Sequence, residues 1–207
     1  PKCVSKRVSR SSGKSDAKGE APPLGQHLLR SRSVLEAIAA VSVPEGEKNV
    51  SVVEIGVGAG ALTQALLARC KRVVGFEIDG DMVQLALQNP MLKRHGICAI
   101  PLPNKASSWD RADWSSGLGT LSTLPCLVLH GDFLMCTAVP KECCVAAGNV
   151  PYRISGALVR RLLMQEPPLR RIVLLVQAEF GRRLQARPGN VKYGRLSVLV
   201  STLCASC

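Results

Sequence analysis

Four short stretches of this sequence carry residue types able to do chemistry. The first is Val52-Val53-Glu54-Ile55-Gly56-Val57-Gly58-Ala59-Gly60-Ala61, an apolar run that passes into closely spaced glycines. Glycine is required where a backbone turns sharply or where a ligand must approach main-chain atoms. The second is Glu77, 21 positions after Gly56, a carboxylate able to accept hydrogen bonds from both hydroxyls of a ribose. The third is Asp132, which follows Gly131 and could accept from the exocyclic amine of an adenine. Together they describe a site for an adenine nucleoside. Gly56-x-Gly58-x-x-Ala61 satisfies a relaxed dinucleotide fingerprint, with Glu77 near the expected distance of about 20 residues. Glu54-x-Gly56-x-Gly58-x-Gly60 is the form used for S-adenosyl-L-methionine, and both cofactors stay open at this point. A ligand-free strand-to-helix turn is the bland alternative.

The fourth stretch, Asn149-Val150-Pro151-Tyr152, is the most informative. An adenine amino nitrogen is a poor nucleophile because its lone pair is delocalised into the ring. Acceptors against both N–H bonds favour a pyramidal nitrogen and free that pair for in-line attack on a methylsulfonium. The Asn149 side-chain oxygen can be one acceptor. A backbone carbonyl near Val150 or Pro151, held by the restricted proline, can be the other. Tyr152 can stack on an extruded base. No metal and no strong base is needed, and no residue set is assigned as metal ligands. Asp132 as a turn cap and the tetrapeptide as a buried proline turn are the bland readings.

These residues need a scaffold that brings strand ends together. Val34, Leu35, Ile38 and Val41 fit one helical face. Val50 to Ile55 reads as a buried strand, Ala61 to Cys70 as a helix, Arg72 to Ile78 as a strand, and Asp81 to Gln88 as a helix stopped by Pro90. Residues 91–125 break the rhythm and are expected to form an insertion or long loop. Strands follow at Cys126 to His130 and Cys144 to Ala147, then a helix from Ile154 to Met164. A strand over Arg171 to Gln177, a helix over Glu179 to Ala186 and a final strand over Leu196 to Leu203 complete the pattern. Alternating strands and helices predict a doubly wound, mostly parallel α/β sheet with ligands at the carboxyl ends of its strands.

The 207 residues suffice for one domain of ordinary size, and no apolar run approaches the roughly 18 residues of a membrane span. The net charge of +12 is unevenly placed. Residues 1–32 carry net +6, residues 33–152 net −2 and residues 153–195 net +8. Clustered Lys and Arg gain by displacing counterions from phosphates, so a polyanion partner is expected. The candidate RNA contacts are Arg153, Arg160, Arg161, Arg182, Arg183, Arg187, Lys192 and Arg195. Solvated helix faces are the alternative. Aromatic residues make up 3%, which disfavours a broad stacking platform. Nine cysteines with irregular spacing, with no histidine near the Cys204–Cys207 pair, read as small apolar residues in a reducing compartment. Residues 1–24 read as a basic flexible arm and 25–207 as the folded domain. No acidic residue precedes Asp16, which suggests a mitochondrial address, with nucleolus and cytoplasm as alternatives.

In order and spacing, these motifs resemble the KsgA-type rRNA adenine N6,N6-dimethyltransferases, which include bacterial, eukaryotic nucleolar and mitochondrial transcription factor B members. The resemblance runs from Gly25 to about Cys204. It includes Gly25-Gln26-His27-Leu28-Leu29, the Val53 to Thr63 glycine segment, Glu77-Ile78-Asp79, Gly131-Asp132, Asn149 to Tyr152 and Tyr193-Gly194-Arg195-Leu196-Ser197. It implies a Rossmann-like class I methyltransferase fold using S-adenosylmethionine, with the family's C-terminal helical domain expected to be absent from this chain. Gln26, His27 and Leu29 would close over the cofactor. Gly56 would line its methionine moiety, Glu77 its ribose and Asp132 its adenine, with Gly58, Gly60, Ile78 and Asn149 also binding the cofactor. Asn149, Pro151 and Tyr152 would carry catalysis. The implied substrate is a pair of adjacent adenosines near the 3′ end of small-subunit rRNA, in the assembling small ribosomal subunit. Two alternatives remain: a non-catalytic rRNA-binding assembly factor or a transcription factor B-like protein on the same fold, and, further off, a nicotinamide oxidoreductase.

Overall fold

The computed structural model describes residues 29–102, 123–136 and 139–204. Six strands form one sheet: β1 (Ser51–Ile55), β2 (Arg72–Glu77), β3 (Ile97–Pro101), β4 (Cys126–His130), β5 (Cys143–Asn149) and β6 (Arg171–Leu175). Their order is β3-β4-β2-β1-β5-β6, and every pairing is parallel. The chain starts in the middle of the sheet, builds outward to one edge, returns, and builds to the other. That reversal beside β1 places a crevice at the carboxyl ends of β1 and β5.

Among the described residues seven helices flank the sheet: α1 (Arg32–Ser42), α2 (Ala61–Leu67), α3 (Gly80–Gln88), α4 (Pro90–Arg94), α5 (Ser155–Leu163), α6 (Ala178–Leu184) and α7 (Arg195–Leu203). Side chains alternate across the strands, so each face of the sheet receives its own core. Val52, Val73, Val128 and Val145 pack beneath α1 and α2 with Leu62 and Leu66. Val53, Val74, Leu127 and Ala146 pack with Leu158 and Leu162 of α5. A sheet covered on both sides requires near-continuous apolar strands, which is why the periodicity of β1, β2 and β4 reads as unbroken burial.

Two expectations fail. Leu196 to Leu203 is not a strand but helix α7. Ser197 Oγ accepts from the Gly194 amide at 3.2 Å and donates to the Arg183 carbonyl at 2.7 Å, fixing the first turn against α6. Leu196, Leu199, Val200 and Leu203 then follow the helical spacing. The segment 91–125 is not wholly irregular either, since it holds most of α4 and edge strand β3. Asn89 ends α3 and caps α4, its Oδ1 accepting from the Met91 and Leu92 amides at 3.0 and 3.4 Å. Pro90 is the first residue of α4, where a missing N–H costs nothing. Residues 103–122 of that expected insertion, the arm at 1–24, and Cys207 of the terminal pair lie outside the described residues.

Among the described residues no helix is long and apolar enough to cross a membrane, and no group of three or more His, Cys, Asp or Glu could hold a metal ion. Among the described cysteines Cys70, Cys126, Cys136 and Cys143 are buried. Burial pushes the Cys70 and Cys126 thiols up to about 12, as expected of small apolar core residues.

Candidate active site

Gly56 and Gly58 have φ of +78° and +55°, in the left-handed region that favours glycine. The Gly56 and Val57 amides both reach back to the Phe76 carbonyl, at 2.9 and 3.3 Å, so the turn folds over the end of β2. Val57 drops its side chain into the space left by Gly75, where an added Cβ would lie 2.2 Å from Val57 Cγ2. Gly60, at φ +85°, serves a different purpose. It caps α2 beneath α4, and an added Cβ would lie 2.3 Å from Leu92 Cδ1. Gly60 packs against Leu92, between Ala59 and Ala61, which line the crevice.

Glu77 closes β2, buried to 4% exposure, with both carboxylate oxygens aimed by backbone donors. One accepts from the Gly58 amide at 2.7 Å and the other from the Asp79 amide at 2.9 Å. Each oxygen keeps one further acceptor direction. The Glu77 carbonyl in turn accepts from the Gly131 amide at 2.7 Å, which draws the end of β4 to the end of β2. Asp132 follows there. One of its oxygens caps a 3-10 turn by accepting from the Leu134 amide at 2.8 Å, so it is a turn cap and a wall of the crevice at once.

The opposing wall comes from β5, whose last residue is Asn149. Ile55 pairs with Gly148, and an added Cβ on Gly56 would lie 3.6 Å from the Asn149 carbonyl oxygen. The glycine turn and the tetrapeptide are therefore neighbours across one crevice. Pro151 and Tyr152 then bend into a 3-10 turn. The Pro151 carbonyl accepts from Ser155 Oγ at 3.2 Å and from the Ile154 amide at 3.3 Å. Tyr152 stays 43% exposed at the mouth.

The crevice encloses about 650 Å³. It gathers Leu29, Gly56, Gly58, Glu77, Ile78, Asp132, Asn149, Pro151, Tyr152 and Arg153, as the motifs require. Gln26 and His27 lie outside the described residues. Sequence reasoning missed Arg30, Phe76, Phe133 and Ile154, which also line it. Phe76 and Phe133 meet edge to face with ring centroids 4.9 Å apart and form an apolar wall. The Gly-Asp pair preceding Phe133 marks its place, but nothing in a fully buried strand singles out Phe76.

The remaining cationic candidates divide. Arg160, Arg182, Arg183, Arg187, Lys192 and Arg195 are exposed. Arg161 turns inward, its guanidinium 5.0 Å from the centre of the Phe133 ring, and burial lowers its pKa. It makes a cation–π contact with a ring of the crevice wall, whereas the other candidates face outward.

A family model described as ribosomal RNA adenine dimethylase matches residues 20–101 and 115–206. This chain belongs to that family. The unmatched residues 102–114 directly follow edge strand β3. A probable dimethyladenosine transferase of Dictyostelium discoideum is 35% identical over 174 residues, covering 84% of this chain and 46% of that protein. Ribosomal RNA small subunit methyltransferase A of Thermosynechococcus vestitus is 34% identical over 189 residues, covering 88% and 58%. The chain spans about half the length of the curated relatives it matches. Among solved structures, a dimethyladenosine transferase from Plasmodium falciparum superposes with TM-score 0.59 at 26% identity, covering 84% of this chain and 52% of that one. The 23S rRNA methyltransferase ErmE gives 0.54 at 25% identity, covering 84% and 57%. The fold is thus the Rossmann-like class I methyltransferase fold, and S-adenosylmethionine is the cofactor expected of the family. The residues present fit it: bare backbone at Gly56 and Gly58, a pre-aimed carboxylate with free acceptor directions, and apolar walls with few polar groups.

Proposed function

We propose that this chain dimethylates the N6 atoms of adjacent adenosines in small-subunit rRNA, with S-adenosylmethionine as donor, on the assembling ribosomal subunit. One observation carries the reading: Asn149 to Tyr152 edge the same crevice that holds the glycine turn and Glu77. The cofactor, when bound, supplies an electrophilic sulfonium methyl group. Glu77 accepts from its ribose, Asp132 through its remaining oxygen from its adenine, and Gly56 and Gly58 let its chain approach the backbone. Leu29 closes the N-terminal side.

The Asn149 side-chain oxygen takes one N–H of the target amine. The Pro151 carbonyl already accepts two hydrogen bonds, so the second acceptor is the carbonyl of Val150. Tyr152 stacks on the extruded base, offsetting part of its unstacking cost. The product cation loses its proton to water. The exposed cations beyond the crevice hold the phosphates, and the acid-free basic segment before Asp16 supports a mitochondrial address.

The test is incubation of the purified protein with unmethylated small subunits and methyl-labelled cofactor. Label on N6,N6-dimethyladenine is the expected outcome, and unlabelled RNA with bound cofactor refutes the activity. Asn149→Ala separates catalysis from assembly. If it supports subunit maturation while methylation is lost, binding is the essential task.

A further inference from the structure

The cations of this chain behave differently at the two ends of the sheet. Where strands begin, they are paired. Arg72 opens β2 and meets Glu142 at 2.8 Å. Arg171 opens β6, meets Glu47 at 3.1 Å and donates to the Ser42 carbonyl at 2.9 Å. Beyond the end of β6 the pattern reverses. Arg182 and Arg183 on α6, Arg187 and Lys192 in the next loop, and Arg195 opening α7 are exposed. None of them forms an ion pair among the described residues. Five unpaired cations close in sequence, with Glu179 the one acid among them, repel one another, and a polyanion relieves that repulsion.

Two of them, Arg183 and Lys192, line a second cleft of about 470 Å³ together with Glu179, Phe180, Val191 and Tyr193. Its walls are tied without using the cations or rings. Ser197 Oγ links Gly194 to Arg183, the Asn190 side chain accepts from the Lys192 amide at 2.9 Å, and the Asn190 carbonyl accepts from the Tyr193 amide at 2.9 Å. Tyr193 is left 38% exposed. The cleft also lies on the crevice side of the sheet. Leu175, the last residue of β6, pairs with Asn149, and its carbonyl accepts from the Val150 amide at 3.3 Å. Helix α6 starts three residues later.

We propose that this cleft is a second nucleotide subsite, holding an unpaired RNA residue that flanks the target adenosine. Its base lies against Tyr193 and Phe180, and its phosphates lie on Arg183 and Lys192. Glu179 accepts from a base amine or a 2′-hydroxyl. A ring accepts the face of any base, so the subsite tolerates sequence and sets the direction of the strand past the crevice. The assignment rests on the RNA-methyltransferase reading above.

The test is anisotropy of a labelled, unmethylated small-subunit rRNA hairpin bound to the 207-residue chain at several potassium chloride concentrations. Calorimetry with S-adenosylmethionine runs alongside. Tyr193→Leu is expected to weaken RNA about five- to 150-fold, the range found for removing one stacked base, with Tyr193→Phe close to wild type and cofactor affinity unchanged. The pair Arg183→Gln and Lys192→Gln is expected to lower the slope of log affinity against log salt by about 1.4, two contacts at about 0.7 each. If Tyr193→Leu does not fold, the exposed charge pair carries the test. Wild-type affinity in Tyr193→Leu, or an unchanged slope in the charge pair, overturns the subsite and leaves the methyltransferase reading standing. A wild-type chain that binds cofactor but no hairpin overturns both.

Discussion

Replacing Glu54 by Gln should stabilise the protein, and more so as the pH rises. Glu54 sits in β1, paired with Gly75 on one side and Ala147 on the other, with no exposed surface. Neither carboxylate oxygen has a hydrogen-bond partner. Burial, reinforced by the charge of Glu77, pushes its pKa up to about 8. In the unfolded chain the group titrates near 4.5. Between those values the folded protein keeps a proton that the unfolded chain releases. Stability is therefore full below about 4.5 and drains away as the pH climbs towards 8. At about 1.4 kcal/mol per pH unit, the wild type should lose about 3 kcal/mol between roughly pH 5 and 7.5 that the Gln variant keeps. With a urea dependence of about 2 kcal/mol per molar, the two midpoints should separate by a further ~1.5 M over that range. Urea titrations followed by circular dichroism at half-unit pH steps measure this directly, because every other titrating group is shared and cancels. Midpoints that stay parallel for the two proteins would refute the reasoning.

Four further outcomes follow from the geometry. Asn149→Ala should abolish methyl transfer while calorimetry still detects cofactor, the outcome expected of the proposed role for that side chain at the target amine. Glu77→Gln places an amide NH₂ against one of two backbone donors and should cost about 1–3 kcal/mol in unfolding, with at least a roughly tenfold loss of cofactor affinity. Gly60→Ala combines a left-handed backbone with a clash at Leu92 and should lower stability by about 1–3 kcal/mol without altering cofactor affinity beyond that loss. Cys70, Cys126 and Cys143, all buried with thiol pKa values pushed up, should resist iodoacetamide at pH 8 until the protein is unfolded.

The central half of the sheet is legible in the sequence because its strands are buried on both faces, and short stretches built on adjacent β-branched residues, Val52-Val53 in β1 and Val73-Val74 in β2, suit a two-sided strand better than a helix. The crevice is legible for a related reason. Strand ends in a parallel sheet converge, so Gly56, Glu77, Asp132 and Asn149 must meet once the strands are placed. Helix α7 is hidden because Leu-Ser-Val-Leu-Val has the composition of a strand, and what decides it is the reach of Ser197 to Arg183, 14 residues away. Arg161 carries a signal that its charge masks. It lies three residues after Leu158 and seven after Ile154, so helical spacing puts it on the covered face of α5. Edge strand β3 is obscured by the proline, glycine and serine that surround it, which swamp a run of only five residues.

The double grip on the Glu77 carboxylate has an evolutionary corollary. On the proposed reading the same two oxygens pin the glycine turn and address the donor molecule, so selection for folding and selection for turnover cannot be told apart at that position. A descendant that abandoned chemistry yet kept its architecture would still be held to an acid there. Position 77 is for that reason a poor witness to enzymatic competence, whatever lineage it is read from.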